Sequence, residues 1–266
     1  MFRYSFILLD DSVIEGDLQA TLGFLKGCGY SGVELNLTPI VLDRLDALEP
    51  ILVRHELVTP SFLTGAAYAD WLCLSSPDAA VRQRTVERLK RYLDVARRFD
   101  ALLVVGLLQG LRSDEGDTER ANERIIAGLR EVGLAAAQQG VELVIEPVNH
   151  LQVGFNHSLA EVQALIAAID VPAFKPMLDT IHMNIEERSL TEPVTRCGES
   201  LGHVHLCENN GGVLGRGHID FKSVLQTLTS VEYQGFASVK VYRNASLEEG
   251  ARASIAFLQA QQESPD

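Results

Sequence analysis

Four polar residues each stand at the end of their own apolar run. Glu146 ends VELVIE, Asp179 ends FKPMLD, His205 lies in LGHVHLC and Lys240 ends GFASVK. Brought together, a glutamate, an aspartate and a histidine offer two carboxylates and an imidazole. That donor set suits Mn²⁺, Zn²⁺, Co²⁺ or Fe²⁺, and Mg²⁺ less because of the nitrogen. Three protein ligands leave positions for water and substrate oxygens, as at a catalytic rather than a structural metal. An ammonium has no lone pair to give a metal, so Lys240 needs another role. Each residue also has an ordinary alternative: an ion pair for Glu146, a turn cap for Asp179, a satisfied core position for one histidine. His203 and His205 are two apart and fall on the same side of a strand. His205, nearer the strand end, is favoured as the ligand, with His203 beneath it. His182 follows three residues after Asp179 on what reads as a loop, DTIHMN.

Positions 146, 179, 205 and 240 leave intervals of 33, 26 and 35 residues. Each interval holds about one strand, one helix and two loops, the repeat of a (β/α)₈ barrel of about 250 residues. In that fold the carboxyl ends of the strands converge on one mouth. Apolar, β-rich runs occur near 3–9, 32–36, 57–63, 102–108, 141–146, 174–179, 201–206 and 236–241, eight in all. Segments of helical period lie between them at 17–29, 41–55, 77–99, 119–139 and 158–169, then at 185–199, 220–230 and 246–260. In 119–139, Ile125, Leu129, Val132 and Ala136 recur at three- and four-residue steps and mark one helix face. Ser158 and Asp220 are expected N-caps. Strict alternation implies parallel strands and crossover helices. The open doubly wound alternative would want a Gly-rich fingerprint after the first strand, which is absent. A single barrel domain over 1–266 is expected, with the terminal QQESPD frayed.

Composition narrows the function. The chain is 46% hydrophobic, enough for a core, and its net charge of −13 argues against non-specific nucleic-acid binding. The Arg-rich stretch 81–98 is interleaved with Glu87 and Asp94 and reads as a solvated helix face. Cys28, Cys73, Cys197 and Cys207 form no CxxC pair and fit buried thiols in the cytoplasm. The apolar run in MFRYSFILLDDS is too short for a secretory h-region, and no run approaches the length of a membrane span.

At these residues the chain resembles the xylose-isomerase-like TIM barrels, in the sugar isomerase/epimerase branch, and is similar to ketose 3-epimerases and 3-keto-glycoside epimerases. EPVNH (146–150) resembles the strand-five Glu motif, and LDTIHMNIEE (178–187) the strand-six Asp with a substrate-binding His three residues on. GHVHLCENN (202–210) with GRGHIDF (215–221) resembles the strand-seven ligand and its loop. The resemblance implies a divalent metal held by Glu146, Asp179 and His205, a keto-sugar substrate and an enediolate formed by proton removal, with Glu146 as base. A homo-oligomer is compatible with it.

The chain departs from that pattern in SVKVYR (238–243), where Lys240 replaces the family's last ligating Glu. Three arrangements stay open: Lys240 as opposite-face acid/base beside a metal, Lys240 in the metal's place, or a site that only binds. Gly211 and Gln152 stand where many ketose epimerases carry Arg and Glu. Arg216 could fork onto a carboxylate or phosphate, or simply be solvated. Glu34 could hydrogen-bond sugar hydroxyls or form a strand-end ion pair. Tyr68 and Trp71, after strand three, either wall a sugar pocket or pack their loop. The leading function is a metal-dependent keto-sugar epimerase or isomerase. The alternatives are a lyase or dehydratase on a related keto sugar or inositol-like ring and a metal-free sugar-binding protein. A DNA-repair nuclease is disfavoured by the acidic charge.

Overall fold

Every apolar run forms a strand in the computed structural model, which describes residues 2–263. The strands are β1 (Arg3–Leu8), β2 (Gly32–Asn36), β3 (Ser61–Leu63), β4 (Leu102–Val105), β5 (Leu143–Ile145), β6 (Phe174–Asp179), β7 (His203–Cys207) and β8 (Phe236–Lys240). They follow one another in sequence order around a closed parallel barrel, the expected fold. Parallel neighbours cannot be joined by a tight hairpin, so helical crossovers separate them. The helices are α1 (Asp11–Glu15), α2 (Leu18–Cys28), α3 (Pro39–Arg54), α4 (Ala79–Arg98), α5 (Thr118–Gln139), α6 (Leu159–Ile169), α7 (Thr180–Glu186), α8 (Glu192–Cys197), α9 (Phe221–Ser230) and α10 (Leu247–Glu263). None is long and apolar enough to cross a membrane.

Several strands are shorter than their apolar runs, β3, β4 and β5 most of all. Pro60 has no N–H for a ladder, so β3 begins only at Ser61, and Val58 makes an isolated bridge to Gly32. β4 stops at Val105 because Gly106 leaves the extended region and a 3₁₀ turn follows over Leu107–Gln109. Ser158 and Asp220 cap their helices as expected, Ser158 in a reciprocal capping box with Glu161. DTIHMN is not a loop: the Asp179 carboxylate accepts the Ile181 N–H at 2.9 Å and opens α7. The single helix expected over 185–199 is instead the end of α7, then α8 with Pro193 in its first turn, then a 3₁₀ turn. α10 runs past 260 to Glu263, with Gln262 hydrogen-bonded to the Tyr4 hydroxyl. Residues 264–266 of the tail expected to fray lie outside the described residues.

Backbone proximity groups the chain into two compact units. The first holds the residues up to Leu35, Pro39–Pro60 and the chain from Leu178 onward. Here β1 pairs with β2 and β8, and β8 with β7. Ser5 is in register with Ser238, and Ser238 with His205, so three polar residues share one level of the ladder. Tyr30 ties this unit together: its hydroxyl donates to the Ala251 carbonyl at 2.9 Å, and its ring meets Phe6 edge-on at 5.5 Å.

The second unit holds Asn36–Thr38 and Ser61–Met177, with β3 paired to β4, β4 to β5 and β5 to β6. Ile125, Leu129, Val132 and Ala136 of α5 are fully buried, the face that their spacing marks. Gly133 lies among them because a Cβ there would collide with the Phe174 ring.

Candidate active site

β6, β7 and β8 each deliver one polar side chain to the same place in the first unit. The Asp179 Oδ2 atom accepts a hydrogen bond from the Lys240 Nζ atom at 2.8 Å, and His205 Nδ1 faces the same oxygen at 3.7 Å. His182, one turn into α7, points its Nε2 at that oxygen from 3.9 Å. Asp179 and His205 are fully buried, and the Lys240 side chain is 14% exposed. Burial opposes ionisation of Asp179, but Lys240, His182 and His205 outweigh it and hold its carboxyl well below the usual carboxylate range.

Below this lies a hub that the sequence shows only in part. Glu34 projects from β2 with no exposed surface. Its Oε1 accepts from His203 Nε2 at 2.9 Å, from Ser5 Oγ at 3.0 Å and from the Ser238 hydroxyl; its Oε2 accepts from His205 Nε2 at 3.1 Å. The two imidazoles lie edge to face, 5.2 Å apart, on the same side of β7 as expected. Burial disfavours the Glu34 charge, yet His203 and His205 hold its carboxyl well below the ordinary value. Glu34, His203 and His205 are therefore one group with the makings of a cation site, their ligand atoms within 4.8 Å of one another. The spacings to Glu34 are those of hydrogen bonds, so protons fill the space between these ligand atoms. Of the two expectations for Glu34, the geometry corresponds to the ion pair; buried with both oxygens accepting from protein groups, it presents nothing to a sugar. Ser5 and Ser238 are barely marked in the sequence. Their only signal is a small polar residue at an inward position of an otherwise apolar strand.

The loop after β7 is organised by Glu208, another residue not singled out. Its buried carboxylate accepts backbone N–H groups of Asn209, Gly215 and Ile219 at 3.1, 2.9 and 3.0 Å. A Cβ on Gly217 would collide with it. Arg216, carried by this loop, is half-exposed and bonded to Glu249 at 2.5 Å. Gly211, at φ +71°, accepts the N–H groups of Tyr242 and Arg243 at 3.0 Å each, and the Tyr242 ring occupies the space a side chain at 211 would need.

Glu146 belongs to the second unit, one residue past β5, and is buried. Its N–H donates to the Val105 carbonyl at 2.9 Å, continuing the ladder to β4. Gly106 leaves room for its carboxylate: a Cβ there would come within 2.7 Å of Oε2. Gln152 is exposed on the loop that follows. Tyr68 donates its hydroxyl to Asp114 at 2.9 Å. Trp71 is 86% exposed in a left-handed conformation, so it does not pack its loop.

A closed eight-stranded parallel barrel carrying carboxylate, imidazole and amine groups on successive strands defines the (β/α)₈ class, in which such groups serve catalysis. The chain belongs to the xylose isomerase-like TIM barrel family, which it matches over residues 22–261. It is 28% identical to the L-ribulose 3-epimerase of Methylomonas sp. (strain DH-1) over 78% of this chain and 72% of that protein. It is 32% identical to the L-ribulose 3-epimerase of Mesorhizobium japonicum over 69% of this chain and 63% of that protein. The solved structure of a 3-keto-D-glucoside 4-epimerase from E. coli shares the fold, with a TM-score of 0.83 at 19% identity over 98% of this chain and 100% of that one.

Proposed function

We propose that this protein is a divalent-metal-dependent epimerase or isomerase of a keto sugar or keto-sugar derivative, working as one barrel domain. The observation that carries this is Asp179, at the end of β6, facing both His205 in the middle of β7 and Lys240 at the end of β8, in a chain whose curated relatives include ketose 3-epimerases. A carboxylate oxygen and an imidazole nitrogen 3.7 Å apart can both reach one ion at about 2.0–2.2 Å each, so these donors fit a metal. Mn²⁺ is the first candidate, with Glu146 as the third protein ligand. When bound, the metal would polarise the substrate carbonyl and stabilise the charge that develops beside it.

The protein's own residues supply the proton transfers. Glu146 takes the proton from the carbon next to the carbonyl. Lys240, an acid where the resembling family has a second glutamate, returns one at the opposite face and inverts that carbon. Asp179 holds the ammonium in place for this. His182, Gln152, Trp71 and Arg216 are the proposed sugar contacts. A cytoplasmic setting accords with four free cysteines.

Lys240 also supports a second function, a lyase, in which its ammonium protonates a leaving hydroxyl. One experiment tests both. The purified protein is loaded with Mn²⁺, its metal content measured, and a panel of keto sugars incubated with it in deuterated water. An epimer carrying one solvent deuterium is expected. A product that has lost water would indicate the lyase, and no conversion or exchange with any keto sugar would overturn both.

A further inference from the structure

His205 has two ring nitrogens, and which of them carries the proton decides whether it can bind a metal. Its Nε2 lies 3.1 Å from Glu34 Oε2, a hydrogen-bond distance. Its Nδ1 lies 3.7 Å from Asp179 Oδ2, beyond one. An ionised carboxylate only accepts, so the proton of the Glu34–His205 bond belongs to Nε2. We propose that Glu34 is a positioning residue: by taking the Nε2–H of His205 it keeps the Nδ1 lone pair turned toward Asp179, ready for a divalent metal. This deepens the function proposed above and rests on His205 and Asp179 being ligands.

The surroundings of Glu34 serve that arrangement. Its other oxygen is occupied by His203, Ser5 and Ser238, which arrive from β7, β1 and β8. With those donors fixed on Oε1, Oε2 stays directed at His205 and the ring cannot turn over without losing its acceptor. Outer carboxylates of this kind fix ligand tautomers, and their loss typically lowers metal affinity about 10–100-fold. Glutamine cannot replace Glu34, because it offers one accepting oxygen and one donating NH₂ to two imidazoles that both donate. His203 shares the hub but not the oxygen, so its removal should leave the orientation of His205 intact.

The test uses the full chain labelled with ¹⁵N-histidine, stripped of metal, with the His205 signals assigned by their loss in His205→Asn. In the wild type His205 is expected as the Nε2–H tautomer. An Nδ1–H tautomer would overturn the proposal, and this spectrum needs no Glu34 variant to fold. Mn²⁺ titration then follows in wild type, Glu34→Gln and His203→Asn, each checked for folding by circular dichroism. A fall of about 10–100-fold in affinity is expected for Glu34→Gln, against less than about threefold for His203→Asn. Equal losses in the two variants, or a folded Glu34→Gln with wild-type affinity, would overturn it. If the wild type binds no Mn²⁺, it is the proposed metal-dependent function that fails, and the tautomer alone decides the role of Glu34.

Discussion

In the proposed mechanism Lys240 is the residue on which the chemistry turns. Its ammonium sits 2.8 Å from a buried aspartate, so the two charges satisfy each other. Removing one partner of such a pair leaves the other buried and uncompensated. Lys240→Glu goes further: it puts a second carboxylate beside Asp179 and supplies the oxygen ligand that the lysine lacks. Mn²⁺ affinity should therefore rise by at least about tenfold, measured by calorimetry. Unchanged affinity would mean that position 240 does not face the metal. Glu146→Gln keeps the shape of the proposed base but loses its proton affinity. Turnover should fall by about 10²–10⁴-fold with sugar affinity within about tenfold, read from kcat and ligand titration. Turnover at the wild-type rate would remove Glu146 from the mechanism.

At the scale of elements, the ends matter more than the middles. α6 begins with the Ser158–Glu161 capping box, which satisfies orphan N–H groups at the helix start. Ser158→Ala should cost about 1 kcal/mol in urea unfolding and leave metal binding unchanged. The loop after β7 depends on one buried carboxylate instead. Glu208→Ala would strand three backbone N–H groups, at about 1–3 kcal/mol for each that stays buried and unpaired. The amides of Gly215 and Ile219 should then exchange with solvent much faster than those of β7, as read by hydrogen-exchange mass spectrometry. Uniform acceleration across the chain would instead point to global destabilisation.

For the whole molecule, the proposed metal would be linked to the fold. The proposed ligands Asp179 and His205 lie 3.7 Å apart only in the folded chain, so a metal that binds the native state would stabilise it by mass action. At a free Mn²⁺ concentration about a hundred times its dissociation constant the gain is about 2.7 kcal/mol. In a chain of this length that raises the thermal midpoint by roughly 5–10 °C over the chelated protein. Scanning calorimetry with and without Mn²⁺ checks it, and no shift at saturating ion would contradict binding to the native state.

The amino-acid sequence alone determined the eight strands, the parallel barrel and the strand-end positions of Asp179 and Lys240; Glu146 falls one residue past β5 and His205 in the middle of β7. Burial on both faces demands long apolar runs, and a polar residue at the end of such a run stands out against them. Helix starts at Ser158 and Asp220 were equally visible, because a cap is a local bond between near neighbours. The helix opened by Asp179 was not: seven residues carry too little periodicity to distinguish a short helix from a loop. Tertiary structure alone decided the partners. Ser5, Glu34, His203 and Ser238 meet across separations of up to 233 residues, and nothing in their local sequence encodes the meeting. The same holds for the Lys240–Asp179 pair and for the Tyr242 ring over Gly211. A residue type states what a group can do, but the parallel register of distant strands fixes which groups it can reach.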